Sequence, residues 1–511
     1  MTLAARLALH PEFTVGETDP RIYGSFIEHL GRAVYTGIYE PAHPLADEQG
    51  FRKDVLEMVR ELEVPIVRYP GGNFVSGYNW EDGIGPRDKR PKRLDLAWAT
   101  VDPNWVGVDE FADWARRANA EVMMAVNLGT RDVDAARNLV EYCNHPSGTQ
   151  WSDLRIANGH PEPHKIKTWC LGNEMDGPWQ IGAKSAADYG KTALAAGRAM
   201  KAVDPGIELV ACGSSSESMA TFPDWEATIL DHLYDVADYV SLHQYFSKNG
   251  WNDRRSEPYG TPSYVAQSVR LESFIKSVVA SCDHVKARKR ARKSMNLSFD
   301  EWNIWHRNPP SGVEIPRASI APPLLEDVYT FEDVILFGSM MLALLRHCDR
   351  VKIGCLAQLV NVIAPIMTSA NGPAWRQTTF YPFLHGSKYG RGTVLDTLVV
   401  SPSYETAEWG SVPYVDALAV LNRNRSGMTV FAVNRSETQP ALLTADLAGF
   451  GAARGMTEHI VMDGHDKQAA NTRETPHRVT PRSGGESKLD GNQLTATLTP
   501  FSWNVLRIAL N

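Results

Sequence analysis

The sequence has little of what marks several large protein classes. Its six cysteines (Cys143, Cys170, Cys212, Cys282, Cys348 and Cys355) are scattered, without CxxC or Cys/His spacing, so no zinc site is indicated. Several fall inside apolar runs and read as buried free thiols, which points to a cytoplasmic setting. No apolar run approaches the length of a membrane span; the most apolar, MMLALL at 340–345, is far too short. The opening MTLAARLALHPEF has one Arg and then too short an apolar run to read as a secretory signal. Basic residues are outnumbered, 52 Lys and Arg against 60 Asp and Glu, for a formal charge of −8. That balance argues against a general polyanion binder, so no nucleic-acid partner and no membrane partner is expected.

What the chain does have is material for a large core: 43% of its 511 residues are hydrophobic and 22% charged. Apolar runs of strand length alternate with stretches of helical period. Phe51, Val55, Val59 and Leu62 form one stripe ahead of PIVRYP (65–70), and Phe111, Trp114, Ala115 and Ala118 another ahead of VMMAVNLG (122–129). The alternation continues through TWCLGNE (168–174), ELVACGSS (208–215), DYVSLHQY (238–245), MNLSFDEW (295–302) and KIGCLAQL (352–359). A capping-box pattern, Thr330-x-x-Asp333, opens the helical segment before the last of these. With RIYGSF (21–26) the count is eight strands. Alternating strands and helices imply right-handed βαβ units, and eight of them suggest closure into a barrel. An open doubly wound sheet would ordinarily carry a Gly-rich phosphate fingerprint after its first strand, and none is there.

Near residue 386 the pattern changes to short alternating segments: TVLDTLVV, VDALAVLN, MTVFAVN, LTATLTP and WNVLRIAL. Turn-rich polar pieces such as HRVTPRSGGESKLDGN separate them, as in an antiparallel sandwich. The expected fold is therefore α/β, a (β/α)8 TIM barrel over 18–386 with a C-terminal antiparallel β-sandwich over 387–511, to which residues 1–17 add a strand. No low-complexity linker separates the two, so a packed junction is expected.

In such barrels chemistry sits at the carboxyl ends of the strands. There the sequence places Glu28, Arg68 with Gly71, Gly72 and Asn73, Asn127, Asn173 with Glu174, His243 with Tyr245, Glu301, and Gln358. This ring of hydrogen-bonding groups suits an uncharged, hydroxyl-rich ligand, and it holds carboxylates on the fourth and seventh strands. Two carboxylates across a sugar are what glycoside hydrolysis requires: one protonates the leaving oxygen, the other stabilises or traps the oxocarbenium-like centre. Tyr245 is placed to donate a hydrogen bond that keeps one of them ionised. Taken singly, each residue has a plainer reading. Glu174 alone could be a solvated turn residue, and Arg68, Tyr245 and Gln358 could be structural hydrogen-bonders. The Gly-Gly of RYPGGN is expected to make a sharp turn that presents Asn73. His243 has no partner His or Cys at ligand spacing, so it reads as a structural neighbour rather than a metal ligand.

The motifs GNEMDGPWQIG, RYPGGNF, GYNWEDGIGPRDKRP, LSFDEWNIW and FSWNVLRI, in this order except for the first, resemble those of the α-L-arabinofuranosidases of glycoside hydrolase family 51 over nearly the whole chain. The resemblance implies a (β/α)8 barrel with a jelly-roll-like C-terminal domain. It makes Glu174 the acid/base and Glu301 the nucleophile of a retaining, exo-acting enzyme on arabinan or arabinoxylan oligosaccharides. It puts Asn173 on the sugar's 2-hydroxyl and lines the same subsite with Glu28, Asn73, Tyr245 and Gln358, with Trp98 and Trp305 as aromatic walls. Arg68 is implied to hold a carboxylate from behind as a bidentate partner. No cofactor and no metal is implied, and a homo-oligomer, commonly a hexamer, is. The alternative is another specificity on the same machinery, β-xylosidase or endo-glucanase.

Two basic runs remain. KARKRARK (286–293), just before the seventh strand, reads as a solvated helix end rather than a nucleic-acid patch. RDKRPKR (87–93) reads equally as an oligosaccharide or subunit contact and as an exposed loop.

Overall fold

The structure, a computed structural model, describes residues 2–250, 257–307, 317–451 and 453–510. Eight parallel strands close into a barrel in chain order: Gly24–Phe26, Ile66–Tyr69, Glu121–Ala125, Thr168–Leu171, Glu208–Ala211, Tyr239–Phe246, Asn296–Ile304 and Val351–Ala357. Each overlaps one of the eight apolar runs. The strands are buried on both faces, which is why they read as continuous apolar runs rather than alternating ones. The helix Val108–Arg117 buries Phe111, Trp114 and Ala115 as its stripe requires. The stripe from Phe51 to Leu62 is longer than its helix, Lys53–Glu61. Helix geometry starts only after Arg52, a buried residue whose guanidinium is committed to Glu40 and Asp54.

Two sheets make the second unit. A seven-stranded sheet runs Thr14–Glu17, Thr393–Leu395, Val415–Leu421, Gly427–Asn434, Ser502–Ala509, Gly455–Met462, Arg482–Ser483. A five-stranded sheet runs Leu398–Val400, Leu3–Ala8, Ala441–Asp446, Gln493–Leu498, Ser487–Asp490. The N-terminal residues thus supply one strand to each sheet, and Leu3–Ala8 pairs parallel with Ala441–Asp446 in an otherwise antiparallel arrangement. TVLDTLVV is two strands, not one. The chain leaves the seven-stranded sheet at Asp396 and Thr397 and enters the five-stranded sheet as an edge, with Leu398 exposed. The turn-rich HRVTPRSGGESKLDGN likewise contains two short strands.

The barrel core continues onto one face of the seven-stranded sheet, through Leu418, Val420, Phe431, Val433, Trp503 and Val505, while the other face packs on the five-stranded sheet in a separate core around Leu7, Val430, Leu443 and Leu506. The helix Phe331–Leu345, opened by the capping box at Thr330, is buried on every side. Phe337 meets Trp302 of the seventh barrel strand, while Gly338 lies so close to Trp503 of the seven-stranded sheet that a Cβ there would fall 2.6 Å from the indole. Beside this contact Asp416 accepts from Arg435 at 2.7 Å and also from Arg346. Burial opposes ionisation of Asp416, but the two guanidiniums overcome it and hold its carboxyl below the usual carboxylate range.

Candidate active site

A cavity of about 400 Å³ opens at the carboxyl ends of the barrel strands. Glu28, Asn73, Trp98, Glu174, Tyr245, Glu301, Trp305 and Gln358 line it together. Trp179, Ser215, Arg307 and Leu325 join them, and none of these four stood out in the sequence. Arg68, Asn173 and His243 lie beneath the surface of the cavity, each nearly inaccessible.

Glu174 is delivered by a bent backbone. The fourth strand ends at Leu171, and Gly172 and Glu174 both have left-handed φ, +91° and +43°. For a glutamate that geometry costs about 1–2 kcal/mol, stored at the point where the side chain enters the cavity. A bond from Gly177 N to the Glu174 carbonyl, 2.8 Å, helps to fix it. Glu174 Oε2 accepts from Trp179 Nε1 at 2.7 Å, and Oε1 lies 2.9 Å from His243 Nδ1.

Glu301 is placed by a bulge. From Phe299 to Trp302 the seventh strand takes three steps while its neighbour takes two, from Gly354 to Leu356. Strict alternation would send Asp300 and Glu301 to opposite faces, but the extra residue turns both toward the barrel interior. Glu301 Oε1 accepts from Arg68 Nη1 at 2.6 Å and Oε2 from Tyr245 Oη at 2.8 Å. Arg68 does not embrace one carboxylate with both arms as expected. Its other arm, Nη2, donates to Asn173 Oδ1 at 2.6 Å, and its Nε stands 3.6 Å from Asp300 Oδ2. With Phe26 under the guanidinium, this fork ties the residue before Glu174 to Glu301. Asn173 Nδ2 is left facing Asn73 Oδ1 at 3.4 Å.

His243 sits between the carboxylates. Besides Glu174, its Nδ1 is 3.5 Å from Glu301 Oε2, and its Nε2 is 2.9 Å from Asp300 Oδ1. Burial works against the imidazolium, but Glu301 and Asp300 outweigh it and hold His243 protonated well above its ordinary value. For Glu301 burial is the largest influence and pushes the carboxyl up. His243 and Arg68 pull against it, and Glu174 adds to it. One oxygen each of Glu174 and Glu301 and a ring nitrogen of His243 lie within 4.8 Å of one another. They could hold a cation only with the His243 proton displaced.

Opposite them Glu28 Oε1 accepts from Phe74 N at 2.8 Å and Trp98 Nε1 at 3.0 Å. Burial pushes its carboxyl up to about 8, so near neutrality it presents a proton as well as lone pairs to the cavity. The glycines of RYPGGN serve this residue. Gly72 has φ of −59°, outside the left-handed region, so its lack of a side chain serves close approach instead: a Cβ on it would lie 2.5 Å from Glu28 Oε2. Gln358 Oε1 accepts from Glu28 N at 3.0 Å. Trp305 stands edge-on to Tyr245 with Arg307 over its ring. Asn127 lies elsewhere: its side chain caps the loop through Gly129 N and Thr130 N. In RDKRPKR, Arg87 and Arg90 both meet Glu110 and Arg93 is paired with Asp82, so three of its cations are committed within the chain.

The arrangement offers two carboxylates across one void, one gripped by Arg68 and Tyr245, the other at the mouth beneath Trp179. The chain as a whole is similar to known proteins. A family profile described as the α-L-arabinofuranosidase 1 domain matches residues 58–257, and one described as the α-L-arabinofuranosidase C-terminal domain matches 300–502. The chain is 58% identical, over 99% of both chains, to the intracellular exo-α-(1→5)-L-arabinofuranosidase of Halalkalibacterium halodurans. It is 55% identical, again over 99% of both, to intracellular exo-α-(1→5)-L-arabinofuranosidase 1 of Bacillus subtilis. A solved family 51 α-L-arabinofuranosidase of Bifidobacterium longum superposes with a TM-score of 0.93 at 44% identity, covering 99% of this chain and 100% of that one.

Proposed function

Because the chain belongs to the α-L-arabinofuranosidases of glycoside hydrolase family 51, we propose that it releases terminal arabinofuranosyl residues from arabinan and arabinoxylan oligosaccharides by double displacement. The observation that carries this reading is the approach of Glu174 and Glu301 to within 4.8 Å over one cavity. Oxygens that near to one another support the closer arrangement of retaining enzymes, whose carboxyl groups stand about 5–5.5 Å apart, over the wider gap that admits a water.

In the proposed reaction Glu301 attacks the anomeric carbon while Glu174 gives its proton to the departing oxygen. Arg68 and Tyr245 fix the attacking carboxylate, and His243, shared by both carboxylates, carries positive charge beneath the reacting centre. Water then attacks the glycosyl ester with Glu174 as base, and the sugar leaves with its configuration retained. Glu28, Asn73 and Gln358 hold the ring hydroxyls, Asn173 the 2-hydroxyl, and Trp98 and Trp305 the sugar's flanks. A cavity of about 400 Å³ lined by Glu28 as well as by the two carboxylates supports removal of single terminal residues. That relatives at 58% and 55% identity are named intracellular supports action inside the cell; imported oligosaccharides as substrates and a homo-oligomer, a hexamer by the family resemblance, belong to the same proposal. Among the described residues no helix is long and apolar enough to cross a membrane.

The test is hydrolysis of aryl α-L-arabinofuranoside, β-xyloside and β-glucoside by the wild type, Glu174→Ala and Glu301→Ala. The arabinofuranoside is expected to be preferred and both variants to fall by orders of magnitude, with azide restoring turnover to Glu174→Ala. Full activity in either variant rejects its role; preference for a pyranoside rejects the specificity alone.

A further inference from the structure

A second cluster of metal-ligating side chains lies away from the cavity. Asp109, in the first turn of the helix Val108–Arg117, is met by two imidazoles from the loop that leads into the fourth barrel strand. His164 Nε2 is 2.7 Å from Asp109 Oδ1, and His160 Nε2 is 4.0 Å from Asp109 Oδ2. One ligand atom from each of the three lies within 4.8 Å of the others. The two rings are 5.3 Å apart. Asp109 and His164 are almost wholly buried, whereas the His160 side chain keeps 22% of its surface exposed. The cluster is therefore closed on the inside and open to solvent on one side.

We infer that Asp109, His160 and His164 form a structural site for a divalent transition metal, Zn²⁺ by its donor set. The inference is independent of the glycosidase reading. Two imidazoles and one carboxylate are a nitrogen-rich set that suits zinc, cobalt or nickel and not magnesium or calcium. Tetrahedral zinc with bonds of about 2.0–2.2 Å sets its donors roughly 3.3 Å apart. His164 Nε2 stands 2.7 Å from Oδ1 and His160 Nε2 4.0 Å from Oδ2, so the two rings flank the two oxygens of one carboxylate, and shifts of the rings are needed to seat an ion among them. The exposed edge beside His160 leaves the fourth position to water.

The supports that orient metal ligands are in place. Tyr142 Oη donates to Asp109 Oδ2 at 2.6 Å and is itself held by Asn158 Nδ2 at 3.1 Å. The loop between the histidines, Pro161-Glu162-Pro163, is stiffened by its prolines. Buried Arg155 donates to the carbonyls of His160 and Pro161, and His164 N to the Cys143 carbonyl. His164, Asp109 and Tyr142 would form a complete network without an ion. The His160 ring, aimed at the same carboxylate but beyond hydrogen-bond reach, is what that network leaves unexplained. A bound ion would pin this loop to the neighbouring helix and so brace the entry to the strand that carries Glu174.

The full-length chain, stripped by chelator and dialysed, is titrated with Zn²⁺ by calorimetry and with Co²⁺ by visible absorption, alongside His160→Ala, His160→Gln and Glu301→Gln. Wild type and Glu301→Gln are expected to bind one equivalent with Kd of about 1 µM or tighter, with the intense bands of tetrahedral Co²⁺. Both His160 variants should bind at least ~100-fold more weakly, and saturating Zn²⁺ should raise the unfolding temperature of wild type but not theirs. Metal-free, the variants should unfold with wild type, because Arg155 holds the His160 carbonyl and not its ring. Wild type that takes up no Zn²⁺ at ~100 µM, or His160 variants that bind as wild type does, overturns the site. Loss of uptake in Glu301→Gln also overturns it, by placing the ion among Glu174, His243 and Glu301.

Discussion

Replacing Tyr245 by Phe removes a single oxygen from the active site and tests how the Glu301 carboxylate is held. The lost bond, 2.8 Å to Glu301 Oε2, is buried. A hydrogen bond to a charged acceptor contributes about 1.5–3 kcal/mol, or roughly 10- to 150-fold in an equilibrium. Its effect differs between the two steps. During glycosylation the carboxylate loses its charge, so the missing donor costs orientation more than electrostatics. During deglycosylation the charge returns, and a transition state with half of it developed forfeits about half the stabilisation, slowing that step roughly 3- to 12-fold. Removing a donor to the ionised form also pushes Glu301 further up from where burial already sets it. The acid limb of kcat/KM should therefore move to higher pH. Steady-state and burst kinetics with aryl α-L-arabinofuranosides of good leaving group separate the steps. A Tyr245→Phe enzyme with wild-type kcat and an unmoved acid limb would refute the reasoning.

In the wild type, burial of Glu301 should place the acid limb of kcat/KM above the ordinary carboxylate value of 4.5, which a pH–rate profile reads directly. Gly72→Ala should force Glu28 aside, since the new methyl would sit 2.5 Å from its Oε2; overpacking of about 1–3 kcal/mol should appear mainly as a raised KM, and an unchanged KM counts against Glu28 as a sugar contact. Asp416→Ala should lower stability by about 3–5 kcal/mol in denaturant unfolding, because buried Arg435 loses its counter-charge. The folded carboxyl of Asp416 lies below its unfolded value of 3.8, so this contribution is complete above that pH and is lost as pH falls through the folded value. The gap between variant and wild type should accordingly be full at neutrality and narrow only in strong acid.

The barrel was legible because parallel strands buried on both faces leave uninterrupted apolar runs, which the helices between them punctuate. The sandwich was less so: Ala441–Asp446 and Gly455–Met462 gave no clear signal, and TVLDTLVV hid a change of sheet. Of the site, the residues that end strands were readable, because position in a barrel alone puts them at its mouth. Backbone irregularity was not. The bulge that turns Asp300 inward beside Glu301, the split fork of Arg68 and the reason for Gly72 all depend on register and on neighbours distant in the chain. Trp179 lies within the quoted GNEMDGPWQIG, yet only the left-handed turn at Glu174 brings its indole back to that carboxylate.

The division of labour between the two glutamates can be measured on one variant. Glu174→Ala, mixed with an aryl α-L-arabinofuranoside of good leaving group and quenched, should show a pentosyl mass on the intact protein, because departure of the aryl group needs no acid while hydrolysis of the ester lacks its base. Peptide mapping should place that mass on Glu301. A sugar attached to another residue, or release of product with inverted configuration and no adduct, contradicts the account.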